Sequence, residues 1–315
     1  MRIWITGVTG LLGLHLAWEA LQRGWDVVGT ARQRALPHAP FPVLQGDLTD
    51  PAFRRRAWAW ARPDAVVHTA ALAQVDACEQ HPELAHRVNA ALPAFLAREA
   101  AREGLPFVHI STDAVFDGRK GDYTEEDPPH PVNVYGYTKT QGEQGVMEAH
   151  PQALVLRVNF FGWSLSGRRS LAEWFLNQLE AGRQDIPAFA DVWFCPLLVN
   201  HLARLILLAL ERNLSGLYHA VASQCLSKFA FGQALARAFG YDPQRIRPVS
   251  VEEAGLAARR GHRLTLRTDK LARALGCPLP TPEEGLRAFA HQAQWGYPRL
   301  LRAWGASSAD SPANA

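Results

Sequence analysis

Tyr135 and Lys139 stand four residues apart in Val134-Tyr135-Gly136-Tyr137-Thr138-Lys139. On a helix that spacing puts both side chains on one face. A neighbouring ammonium lowers the pKa of a phenol that otherwise sits near ~10. A phenol so tuned gives its proton to a carbonyl oxygen while hydride reaches the carbon. Upstream, Ser111-Thr112-Asp113 closes an apolar run, and Thr112 can set a hydroxyl against the same oxygen. Thr112, Tyr135 and Lys139 are the candidate catalytic residues, provided a hydride donor binds nearby.

The N-terminus supplies a place for one. Arg2 to Thr6 reads as a short buried strand, followed by Gly7-Val8-Thr9-Gly10-Leu11-Leu12-Gly13. Glycines there permit a tight turn, close approach of backbone to a pyrophosphate, and close helix packing. A helix from Leu11 to Arg23 would point its N-terminus at the phosphates. The first glycine interval differs by one residue from the usual dinucleotide fingerprint.

Trp25 to Thr30 reads as the second strand, and its end carries Thr30-Ala31-Arg32, with Arg34 nearby, where an acid usually serves NAD. A guanidinium suits a 2′-phosphate, which favours NADPH and leaves NADH possible. The third strand, Phe41 to Gln45, ends in Gly46-Asp47-Leu48, with Asp47 placed to accept from an adenine amino group. The fourth, Asp64 to His68, runs into Thr69-Ala70-Ala71-Leu72, whose small residues leave room for a cofactor to cross the sheet edge. His68 reads as a packed strand residue.

Further strands are expected at Pro106 to Ile110 and Ala153 to Val158. Helices are expected at Glu83 to Glu103, broken or kinked by Pro93 just after Asn89, and at Tyr135 to Glu148. Strands alternating with helices predict an α/β fold with a Rossmann-type, doubly wound parallel sheet over residues 1–158. Beyond Asn159 the alternation weakens. Helical patterns cover Ser170 to Ala181, Phe229 to Phe239, Thr268 to Leu275 and Pro282 to Gln292; Leu197 to Glu211 is strongly apolar and reads as buried, and a returning strand is expected at Gly216 to Val221. The expected division is a cofactor-binding part (1–158, with a segment about 190–222 returning to it) and a smaller, mostly helical substrate lobe from 159–189 and 223–303. Residues 304–315 are expected to form a disordered tail.

Composition narrows the partners. The 315 residues are 48% hydrophobic, enough for one large core or two lobes, and the net charge of +3 is interspersed, which does not favour nucleic acid. Cys78, Cys195, Cys225 and Cys277 are far apart, so neither a disulfide framework nor a metal cluster is expected, and the histidines are scattered. No metal is expected. The chain opens on a strand-like run and holds no apolar stretch of membrane-spanning length, which predicts no membrane partner and a cytoplasmic protein.

Together, the three-glycine turn, Asp47, Ala70-Ala71, Thr112 and the Tyr135/Lys139 pair resemble the extended short-chain dehydrogenases/reductases. The finer resemblance is to the dTDP-4-dehydrorhamnose reductase (RmlD-like) family. It rests on Ser111-Thr112-Asp113-Ala114-Val115-Phe116-Asp117-Gly118, Tyr123-Thr124-Glu125-Glu126-Asp127, the Tyr135 region through Gly142-Glu143, Val75-Asp76 with Glu79, Val88-Asn89, and Thr268-Asp269-Lys270-Leu271. It is dense to about residue 158 and looser afterwards.

The resemblance implies Tyr135 as proton donor, Lys139 on the nicotinamide ribose, and Thr112 on the substrate carbonyl. It implies Gly7, Gly10, Leu11 and Leu12 at the pyrophosphate, Arg32 near the adenosine ribose, Asp47 and Leu48 near adenine, and Ala70, Ala71 and Leu72 lining the cofactor. A nucleotide-sugar substrate would lie near Phe160 and Trp193. The superfamily's pairing habit implies a possible homodimer.

The sequence departs from the family pattern on the sugar-nucleotide side. Ala114 stands for a usual Tyr, Phe160 for a usual Trp, and Asp191-Val192-Trp193-Phe194-Cys195-Pro196-Leu197 for a more polar stretch. Two other readings share the scaffold. A sugar-nucleotide epimerase recycles NAD, against which Arg32 argues, and a regulatory subunit of methionine adenosyltransferase resembles the same family. A dehydratase would follow the threonine with Asp-Glu, and Ala114 breaks that pair.

Overall fold

The protein is seen in a computed structural model that describes residues 1–254 and 258–306. Seven parallel strands form the central sheet: β1 (Arg2–Thr6), β2 (Asp26–Ala31), β3 (Val43–Gln45), β4 (Ala65–His68), β5 (Phe107–Thr112), β6 (Leu154–Val158) and β7 (Gly216–Ala220). Their spatial order is β3-β2-β1-β4-β5-β6-β7. Winding reverses between β1 and β4, so the turns leaving those two strands part and open a crevice at the carboxyl edge, where ligands bind in such sheets. This is the Rossmann-type architecture expected from the alternation.

Both sheet faces are covered, which is why the strands read as continuous apolar runs. Ile3 and Ile5 of β1 pack on one side with Leu12, Leu14 and Leu16 of the helix Leu11–Gln22, and with Leu202 and Ile206 of the helix Val199–Glu211. Trp4 points the other way, joining Val28, Val66, Phe53, Leu96 and Val146. The first of these clusters continues without a break into Phe231, Leu286 and Phe289, so the later chain is packed onto the sheet side.

Short strand pairs complete the later part: Phe160–Phe161 with Leu197–Leu198, Ile186–Phe189 with Ile246–Val249, and Trp193–Phe194 between Leu226–Ser227 and Arg263–Leu264. These pairings were absent from the sequence reading, since strands of two to four residues carry little or no periodicity.

The helix around Pro93 is split as expected, by a π-helical turn, Arg87–Ala91, and restarts as Leu92–Arg102 with Pro93 in its first turn. Two expectations need correction. The expected absence of disulfides fails at Cys195–Cys225. Antiparallel pairing of Phe194 with Leu226 brings the next residues along, Cys195 and Cys225, face to face with Cα atoms 4.0 Å apart. A separation of 30 residues hid a register contact. The tail expected from 304 begins too early. Trp304 is buried against Trp18 and Phe41, and its carbonyl accepts from His38 N at 3.2 Å. Residues 307–315 lie outside the described residues.

Candidate active site

Each strand end delivers its residues to the crevice. Gly7 leaves β1 with φ +68°, and a Cβ there would lie 2.8 Å from the Cα of Ala70, so only glycine lets the β1 and β4 turns approach this closely. Gly10 N-caps the helix Leu11–Gln22 without a side-chain cap, and no acid occupies its first turn, which leaves amide donors for an anion. One cleft is lined by Gly7, Gly10, Arg32, Asp47, Leu48, Ala70, Ala71 and Leu72, eight residues expected from the sequence. Leu11 and Leu12 stay in the helix beneath it, Leu12 buried in the core.

Arg32 is exposed at the cleft, and Asp47 Oδ1 accepts from the Thr49 amide and hydroxyl, both at 2.8 Å. Arg169 also lines this cleft and was missed. It lies in the stretch after β6 where no periodic pattern flagged it.

The floor beside this cleft is a polar ladder. Thr6 Oγ1 bonds His68 Nδ1 at 2.8 Å, His68 stacks on His109 with ring centroids 5.7 Å apart, and His109 Nε2 accepts from Lys139 Nζ at 3.3 Å. Burial holds both imidazoles neutral, His68 at about 3 and His109 well below its usual range. Asn89, buried at the π-helical turn, accepts from Leu72 N at 2.9 Å and donates to Leu72 O and to Thr138 Oγ1. It ties the β4 turn to the helix Val134–Ala149.

That helix starts where it does for two reasons. Asn133 Oδ1 accepts from Gly136 N at 2.8 Å, and Glu79 Oε1 accepts from Val134 N at 2.8 Å. Tyr135 therefore sits in the first turn. A Cβ on Gly136 would be 2.1 Å from the Ala114 carbonyl oxygen, so the glycine sets how near Tyr135 comes to Thr112.

Thr112 ends β5, donates to Asp113 Oδ1 at 3.1 Å and accepts from Ala114 N at 3.2 Å. Its hydroxyl and the Tyr135 phenol face each other. Two of the three candidate catalytic residues thus meet at the end of β5.

Their electrostatics differ from the expectation. Burial pushes the Tyr135 phenol up, the Thr112 hydroxyl pulls it down, and the charge of Asp113 adds to the rise. Lys139 Nζ is turned to the Ile110 carbonyl at 2.6 Å and to His109, so the ammonium–phenol pairing read from the four-residue spacing is not made. Burial brings Lys139 down to about 8, opposed by Glu143. Glu143 is itself neutralised by a buried, two-pronged Arg157 pair at 2.9 and 2.7 Å, and accepts from Ser111.

Phe160 and Trp193 do not line the cleft. Phe160 is half-buried in its short strand, and Trp193 is 42% exposed on a strand of a different small sheet. A separate apolar pocket is lined by Leu171, Trp174, Phe189, Lys228 and Arg247. Lys228 was also missed. It faces the buried Asp113, whose carboxyl burial raises to about 6 against the pull of Asn159, Thr112 and Lys228.

Residues 1–295 match the model of the RmlD substrate binding domain. The chain belongs to that family. Among curated relatives, dTDP-4-dehydrorhamnose reductase of Mycobacterium tuberculosis is 34% identical, covering 79% of each chain. A probable low-salt glycan biosynthesis reductase, Agl14 of Haloferax volcanii, is 32% identical over 92% of this chain and 97% of that one. Methionine adenosyltransferase 2 subunit beta of Danio rerio is 31% identical over 93% of each. Among solved structures, dTDP-4-dehydrorhamnose reductase from Bacillus anthracis in complex with NADP superposes with TM-score 0.83 at 28% identity, over 92% of this RmlD-domain chain and 99% of that one.

Proposed function

We propose that the chain is an NADPH-dependent reductase of the 4-keto group of a nucleotide-linked deoxysugar, of the dTDP-4-dehydrorhamnose reductase type. The observation that carries this reading is the meeting of the Thr112 hydroxyl and the Tyr135 phenol beside a cleft built for a dinucleotide. The residues fit the cofactor: the Gly7 turn leaves no room for a side chain, the helix after Gly10 presents uncapped amides, and Arg32 stands where a 2′-phosphate needs a cation. NADPH, when bound, supplies the hydride.

The chain's own residues handle the proton. A phenol raised by burial stays protonated at neutral pH, the state a proton donor must occupy before it gives its proton to the substrate oxygen. Thr112 adds a second donor at that oxygen and so spreads its developing charge. Lys139 spends two contacts on Ile110 O and His109, and an ammonium has a third N–H to give. For the substrate, Trp174 and Phe189 offer apolar surface for a base, and Lys228 offers charge for a diphosphate.

The test is to mix the purified protein with NADPH and a panel of 4-keto sugar nucleotides, and to follow loss of the reduced nicotinamide absorbance. Turnover with dTDP-4-dehydrorhamnose is expected. Silence across the panel, with NADPH still bound, would replace the reductase by a cofactor-binding regulatory subunit. The same reading carries a cytoplasmic setting and, from the pairing habit of the superfamily, a homodimer, which sedimentation of the purified chain checks. Among the described residues no helix is long and apolar enough to cross a membrane.

A further inference from the structure

Three guanidiniums reach the cofactor cleft, against one carboxylate, Asp47, in its lining. Arg32 and Arg34 follow β2. Arg169 comes from the loop after Phe160–Phe161. Among the described residues, none of the three guanidiniums has an ion-pair or hydrogen-bond partner, whereas Asp47 already accepts from Thr49.

The loop that carries Arg169 is built to hold its backbone still. Glu173, 1% exposed, collects four donors: Ser164 N at 2.7 Å, Ser164 Oγ at 2.8 Å, Arg169 N at 3.0 Å and Ser170 N at 3.2 Å. Ser170 Oγ donates to Gly162 O at 2.7 Å, and Asn177 Nδ2 to Gly167 O at 2.8 Å. The same loop is fastened to the dinucleotide helix itself. Trp163 O accepts from His15 Nε2 at 2.7 Å, and His15 lies just over a turn into Leu11–Gln22. Burial holds that imidazole at about 4, so neutral His15 gives its one ring proton to Trp163 and accepts from the Tyr297 hydroxyl. A fixed backbone with an exposed, uncommitted guanidinium is therefore anchored on the very helix whose N-terminal amides await phosphate.

We propose that Arg169 is a phosphate-binding residue of the cleft, its guanidinium gripping the pyrophosphate held at the Gly7–Gly10 turn. This rests on the cofactor reading above. It divides the labour among the arginines: Arg32 selects the 2′-phosphate, while Arg169 holds the part that NADPH and NADH share. A planar fork suits a pyrophosphate with two parallel N–H donors, where lysine offers only a point charge.

Titration of wild type, Arg169→Ala, Arg169→Lys and Arg32→Ala with NADPH and with NADH separates the possibilities. For Arg169→Ala, both dissociation constants should rise by the same factor, about ten-fold, the usual worth of a charged hydrogen bond. Arg169→Lys should recover part of that loss for both cofactors, and Arg32→Ala should weaken NADPH selectively. An Arg169→Ala loss confined to NADPH would move Arg169 to the 2′-phosphate and overturn the assignment. Unchanged affinity for both, in a variant with unchanged melting temperature, would also overturn it. Failure of the wild type to bind either dinucleotide would instead remove the cofactor reading, with Arg169 falling as a consequence.

Discussion

The two sides of the crevice are built on different plans. On the cofactor side nearly every lining residue lies within a few positions of a strand end: Gly7 after β1, Arg32 after β2, Asp47 after β3, Ala70 to Leu72 after β4. On the substrate side the frame is made of contacts between distant segments. Arg260 pairs with Asp76, Asp191 accepts from Ser250, Glu125 accepts from His219 N, and Asn133 donates to Arg259 O. A strand end fixes position through backbone pairing alone, so one side tolerates sequence change around a few glycines. The other side exists only once the whole chain has folded, and its specificity is free to drift with each pair.

The sharpest consequence lies where the two sides meet. Tyr135→Phe removes the proton but keeps the ring, so turnover should fall about 10²-fold or more while NADPH affinity holds. Single-turnover kinetics with cofactor titration would measure both. Equal turnover would take Tyr135 out of the acid role and leave the junction without chemistry.

Asp113 reports on the substrate side through stability. Its carboxyl is raised from about 4 to about 6, chiefly by burial. A raised acid binds its proton more tightly when folded, so its contribution is fully present below the unfolded value and is lost as pH rises through about 6. The loss amounts to about 2 kcal/mol between pH 4 and 7. Asp113→Asn cannot lose it, so urea curves of the two proteins should diverge by that amount over this window. Parallel curves would mean that the carboxyl is solvated.

On the cofactor side, Arg32→Asp sets a carboxylate against a 2′-phosphate. NADPH should weaken at least about ten-fold more than NADH. If both respond alike, the end of β2 does not choose the cofactor.

These differences also explain what could be read from the chain before folding. All seven sheet strands and the residues after them were legible to within a few positions, because a buried parallel strand is an apolar run and a phosphate turn needs glycine. The helix carrying Tyr135 was legible too, starting one residue earlier under the Asn133 cap. Arg169 was not, since its position depends on a buried glutamate four residues later and on His15 far upstream. Cys195 and Cys225 meet only through strand register, and the rise of the Tyr135 phenol comes from burial, which spacing does not encode. Local motifs place donors and acceptors; tertiary packing decides their protonation.

Lys228 gives the gentlest separation of the two sides. Its backbone N donates to Val192 O at 3.0 Å, its Nζ lies 5.4 Å from the Phe189 ring, and among the described residues it makes no ion pair. Burial lowers its ammonium, Arg260 lowers it further, and Asp113 opposes both. An ammonium held between a like charge and a carboxylate it does not touch is suited to an anionic group of the substrate. Lys228→Met keeps the apolar stem and removes the charge. The KM for a nucleotide sugar should rise several-fold, on the order of 1 kcal/mol, with turnover at saturation and NADPH affinity both unchanged. A shift in NADPH affinity instead would show that Lys228 serves the cofactor, and that the division between a strand-end cofactor wall and a long-range substrate wall is drawn in the wrong place.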